Sequence, residues 1–177
     1  MSGDAAAVPQ ADLDRVAEQL GRVPRGVLAV AYRTPDGDPA VVKTAPRLPD
    51  GTPFPTLYYL TDPRLTAEAS RQESAGVMRE MEALLASDPE VAANYRAAHE
   101  HYLASRNALE DLGTDFTGGG MPDRVKCLHV LIAYALAEAR GPVWRGDEAV
   151  ALAAAAGLRG TAIPADWPEP RYPWGGQ

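Results

Sequence analysis

GVLAVAYRTPDGDPAVVKT, residues 26–44, decides the fold. Two short apolar runs, 26–33 and 40–44, flank the turn Pro35-Asp36-Gly37-Asp38. Val, Ala and Tyr suit a half-buried pleated surface, and Pro-Asp-Gly pairs a fixed φ with a residue free to adopt positive φ, so the stretch predicts a β-hairpin. Downstream, a second turn, Pro49-Asp50-Gly51, sits among Pro46, Pro53 and Pro55. Proline lacks the amide proton a ladder needs, which keeps this loop outside any sheet. It leads into TLYYLT, residues 56–61, the third strand candidate.

Beyond Pro63 the pattern turns helical. Residues 65–86 read as a helix broken at Gly76, and Asp88-Pro89-Glu90 combines an N-cap, a first-turn proline and an acid, a strong helix start. That helix should run to about Leu112, because Val91, Tyr95, Ala98, Tyr102, Ser105, Leu109 and Leu112 form one stripe in steps of three and four. Further helices are expected over 122–139, ended by Gly141-Pro142, and over 147–156; a short one over 12–20 precedes the hairpin. Strands grouped ahead of helices indicate an α+β fold, a small three-stranded antiparallel sheet with a predominantly α-helical region packed against it. The expected organisation is a disordered N-terminus over 1–9, a single domain over 10–157 and a Pro/Trp-rich tail over 158–177.

The chain has 177 residues and a net charge of −7, with the acidic excess concentrated in 67–112. An acidic helical middle argues against general nucleic-acid binding, which needs a concentrated basic face. No apolar run approaches the roughly 20 residues of a membrane span, so no membrane insertion is expected. The first residues show no basic stretch followed by an apolar one, and the one cysteine, Cys127, cannot form an internal disulfide. A cytoplasmic location is the expectation.

Three stretches carry a resemblance. They are APRLPDGTPFPTLYYLT (45–61) with Pro63-Arg64-Leu65, the segment from His99-Glu-His-Tyr102 to Arg106, and GGMPDRVKCLH (119–129). Together, and in this order across roughly 15–150, they resemble a family of bacterial proteins of unknown function, numbered 501 and common in actinobacteria. Its members are often encoded near a septum-formation initiator and an exopolyphosphatase-like protein, which implies an association with cell division and no mechanism. Relatives carry cysteines where this chain has Thr34 and Asp62, so Cys127 is the survivor of a set of three. The resemblance implies that Thr34, Asp62 and Cys127 approach one another as a degenerate metal site. With a hydroxyl and a hard carboxylate in place of two thiolates, no bound metal or other cofactor is expected.

Among the residues themselves, Gly118-Gly119-Gly120 ahead of a helix at Pro122 would expose backbone N–H groups at a positive helix end. Arg124 and Lys126 would lie in that first turn, where cations oppose the dipole and invite an anion; Arg47 and Arg64 flank the proline loop and could join them. His99, Tyr102 and Arg106 form a polar strip that either lines a cleft or builds an interhelical network. On a continuous helix Cys127 and His129 would point about 200° apart, so a local nucleophile–base pair is not expected, although Cys127, His129 and His99 remain the catalytic candidates. The acidic run Glu68, Glu73, Glu80 and Glu82 reads as a solvated helix surface, and His101 as a solvated side chain. The leading functional expectation is a small anionic ligand, phosphorylated ones included, bound in a regulatory or non-catalytic role near Arg47, Arg64, Gly119, Gly120, Arg124 and Lys126, with His99, Tyr102 and Arg106 nearby. The alternatives are an enzyme with His acid/base chemistry and a Cys127 nucleophile, or a protein–protein adaptor. Protein partners and oligomeric state stay open.

Overall fold

The computed structural model describes residues 7–138 and 144–174. Helix α1 (Gln10–Leu20) ends at Gly21 in the left-handed conformation and leads to β1 (Val27–Arg33), β2 (Pro39–Thr44) and β3 (Tyr58–Leu60). The three strands form an antiparallel sheet in sequence order, β1 pairing with β2 and β2 with β3 in the register Val42↔Tyr59. The Pro-Asp-Gly turn closes the hairpin, with Thr34 N–H donating to Asp38 O at 2.9 Å. The expected α+β architecture is therefore the observed one, and the proline loop lies outside the ladder.

Six α-helices appear among the described residues, the remaining five being α2 (Pro63–Ser74), α3 (Val77–Ser87), α4 (Pro89–Asn107), α5 (Leu128–Ala137) and α6 (Trp144–Ala153). Local chemistry sets their starts. Asp62 accepts from the N–H groups of Arg64 and Leu65, Asp88 from those of Glu90 and Val91, and each is followed by proline. Such caps contribute about 1 kcal/mol each by satisfying otherwise unpaired amides. Gly76 separates α2 from α3 at φ +83.

The region before α5 departs from expectation. The helix does not begin at Pro122: residues 121–127 are turn and extended chain, and Cys127, at φ −151, is the N-cap. Gly118, Gly119 and Gly120 all have positive φ and fold the loop back on itself, so that Lys126 N–H reaches Gly119 O at 2.7 Å and Arg124 N–H reaches Gly120 O at 2.8 Å. The Gly141-Pro142 stop lies outside the described residues, as do residues 1–6 of the expected disordered N-terminus.

Helix α5 sits at the centre. Seven of its ten residues are buried, and it packs against all three strands and against α2 and α6. Its Tyr134 stacks on Tyr58 of β3 and meets the edge of Tyr102 from α4, an aromatic knot joining sheet and helices. Beyond α6 the chain makes a wide turn at Ala154–Leu158, and Ala162, Ile163 and Trp174 of the following stretch lie in the same core. Tyr32 Oη donates to Ala162 O at 2.8 Å, and Trp174 Nε1 to buried Glu148 at 2.7 Å.

Candidate active site

The functional side chains gather where α2 ends and α5 begins. Burying Leu65 and Ala69 docks α2 on the core, and Ser70 and Glu73, three residues apart, reach the start of α5. Glu73 Oε1 accepts from Leu128 N–H at 2.8 Å and lies 3.0 Å from His129 Nδ1; Ser70 Oγ is 3.3 Å from His129 Nε2. The ligating atoms of Glu73, Cys127 and His129 all lie within 4.8 Å of one another. Among the described residues this is the one group of His, Cys and acidic side chains close enough to hold a metal ion, and a thiolate, an imidazole and a carboxylate would suit zinc with a coordination position to spare.

The electrostatics favour a charged pair. Burial alone would raise the Cys127 pKa, but hydrogen bonding with His129 and the Val130 N–H outweighs it, and the thiol lies below its ordinary value. Hydrogen bonding with Cys127, and then with Glu73, overcomes burial at His129 and raises its pKa to about 9. The N-terminus of α5 adds its positive end beside the sulfur. Both residues are partly exposed and line a cleft of about 420 Å³ with Gln19, Leu20, Tyr59, Thr61 and Thr66.

The pairing of Cys127 with His129 corrects the expectation that their spacing separates them. That geometry assumed a helix through both residues; with Cys127 extended and only His129 helical, the two side chains converge. Glu73 departs from the expectation of a solvated helix surface. A signal was present: an acid in the last turn of a helix opposes the dipole, and Glu73 relieves the conflict by capping α5 instead. The same run contains Glu68, buried and paired with Arg71, and Glu82, paired with Arg124.

Three of the expected anion-binding cations are already paired. Arg47 pairs with Glu110 at 2.5 Å, Arg64 with Asp62 at 2.9 Å and Arg124 with Glu82, while Lys126 is exposed. Gly119 and Gly120 lie in the folded-back loop, well ahead of the helix they were expected to open. His99, Tyr102 and Arg106 build a network that ties α4 to the loops around it, with no cleft between them and no acid on Arg106 among the described residues. Tyr102 Oη accepts from Leu57 N–H at 2.6 Å, His99 Nδ1 lies 3.2 Å from Thr117 Oγ1, and fully buried Arg106 donates to the carbonyls of Thr114, Phe116 and Pro55. His101 is exposed, with its ring stacked on Tyr134.

Thr34, Asp62 and Cys127 have different partners. Thr34 donates to Asp36, and Asp62 is engaged by Arg64 and the α2 amides; the groups that meet Cys127 are Glu73 and His129.

Comparison with curated proteins and with solved structures found no match. Residues 30–150 match the model of the family described as "Protein of unknown function (DUF501)", and the chain belongs to that family.

Proposed function

We propose that the protein is a thiol-dependent acyl-transfer enzyme, with Cys127 as nucleophile, His129 as the group that moves the proton and Glu73 as the residue that orients His129. The observation carrying this reading is the convergence of the three side chains, with Cys127 and His129 lining a cleft. Such an arrangement activates a nucleophile through a base that a third group holds in place. The Cys127 sulfur attacks a carbonyl carbon, the C–S bond forms, and the bond to the leaving group breaks as His129 delivers its proton there. Water then attacks the thioester, returning a proton to His129 and releasing the carboxylic acid and the thiolate. Glu73 Oε1, bonded to both Leu128 N–H and the imidazole, fixes the ring relative to α5.

The leading expectation of a non-catalytic anion site is less well supported, because three of its four cations already hold carboxylates.

The test uses p-nitrophenyl acetate with the full chain. Release of p-nitrophenolate with an acetyl group on Cys127, located by peptide mass spectrometry, is expected. Cys127→Ala removes the adduct, and His129→Gln lowers turnover by about a hundredfold. Undiminished turnover in Cys127→Ala, or a stoichiometric zinc ion lost in Glu73→Gln, would overturn the proposal.

A further inference from the structure

Two oxygen atoms in residues lining the Cys127 cleft lack hydrogen-bond partners. Thr61 is 1% exposed, its Oγ1 is buried, and nothing in the protein pairs with it. Gln19 donates through Nε2 to Pro39 O at 2.7 Å, while its Oε1 is buried and unpaired. An unsatisfied buried polar group costs free energy that an apolar residue of the same shape would avoid, so two at one cleft call for an explanation.

Their chemistry suits a group that both donates and accepts. With its amide nitrogen committed to Pro39, Gln19 offers an acceptor, and the free hydroxyl of Thr61 offers a donor. A partner that presents a donor and an acceptor together pairs with both and uses the hydroxyl proton of Thr61. A carboxylate or phosphate has only acceptors and leaves Gln19 Oε1 unpaired. An ester supplies no donor. A carboxamide supplies both, as C=O and N–H. We propose that the Cys127 cleft recognises uncharged carboxamides, the carbonyl oxygen accepting from Thr61 and the N–H donating to Gln19 Oε1. Hydrolysis of that amide rests on the reading of Cys127 as nucleophile, whereas recognition does not.

Iodoacetamide carries the amide and alkylates a thiolate, the C–S bond forming as iodide leaves; methyl methanethiosulfonate reports the thiolate without an amide. Cys127 labelling by iodoacetamide should slow about fivefold to tenfold in Thr61→Val and recover in Thr61→Ser, with methyl methanethiosulfonate labelling unchanged. Thr61→Val should also melt at or above the wild-type temperature, since it deletes an unpaired hydroxyl. If that variant does not fold, Gln19→Met takes its place in the same comparison. Equal slowing with both reagents, or slowing with neither, overturns the proposal. Should Cys127 react no faster than a free thiol, the nucleophile reading falls by itself, and ligand-observed NMR on Cys127→Ala still tests recognition. There butyramide should bind and butyrate should not; equal binding, or none, refutes carboxamide recognition.

Discussion

Cys127 owes its neighbours to one boundary. A helix begun at Pro122 would carry Cys127 and His129 to different faces; a start at Leu128 leaves the sulfur on extended chain, beside the first turn and facing His129. Their ionisation is then mutual. Cys127 is the largest contributor to the raised His129 pKa, and Glu73 of α2 adds to it, with Ser70 as the neutral neighbour of the other ring nitrogen. The folded-state pKa of about 9 lies above the ordinary value of 6.5, so the stabilisation is complete below pH 6.5 and disappears as pH climbs through about 9. An NMR titration should place the His129 midpoint near 9, lower in Cys127→Ala and lower in Glu73→Gln. A midpoint near 6.5 in the wild type would refute the ion pair. The sequence revealed the residue types here but not their partnership, since that turned on where α5 begins. Glu73 comes from a helix more than fifty residues upstream, and only its misplacement at a helix C-terminus marked it.

At the scale of elements, the strands and helix breaks were legible because turn and cap chemistry is local. Pro-Asp-Gly, Pro63, Gly76 and Asp88-Pro89 each fix a boundary through their own φ or side chain. The loop before α5 was not legible, because its conformation depends on contacts between non-neighbours. Tyr95 of α4 donates to Arg124 O at 2.8 Å, and a Cβ on Gly120 would lie 2.7 Å from that same oxygen. That close approach, rather than a helix N-terminus, accounts for glycine at position 120. Gly113 also has positive φ, yet a Cβ there meets nothing within 4 Å. Gly113→Ala should therefore cost about 1–2 kcal/mol from backbone strain alone. Gly120→Ala should cost clearly more, and by shifting Arg124 it should also slow alkylation of Cys127. Urea unfolding of both variants measures the difference; equal losses would show that the loop yields to a methyl group.

For the molecule as a whole, charge balance explains why three of the basic residues singled out in the sequence already hold carboxylates. With 24 acids against 17 bases, carboxylates are plentiful, and Arg47, Arg64 and Arg124 each hold a different one. The same surplus places Glu148, 3% exposed, beneath the C-terminal stretch, where Trp174 Nε1 and the Arg171 N–H supply its hydrogen bonds. The stretch after α6 thus acts as a clamp, tying α6 to the core through Trp174 and to the sheet through Ala162 and Tyr32. Trp174→Ala removes both the packing and the indole donor and should cost about 3–5 kcal/mol. Trp174→Phe retains much of the packing and isolates the donor, so its cost should shrink when Glu148→Gln is also present, because the buried side chain that loses the indole donor is then neutral. Additive losses in that double-mutant cycle, read from urea midpoints, would show that the indole stabilises by packing alone. Neither variant touches the Cys127, His129 and Glu73 contacts, so thiol labelling well below the melting temperature should keep its wild-type rate. A parallel fall in labelling would mean that the clamp also sets the start of α5, through the packing of α6 on that helix.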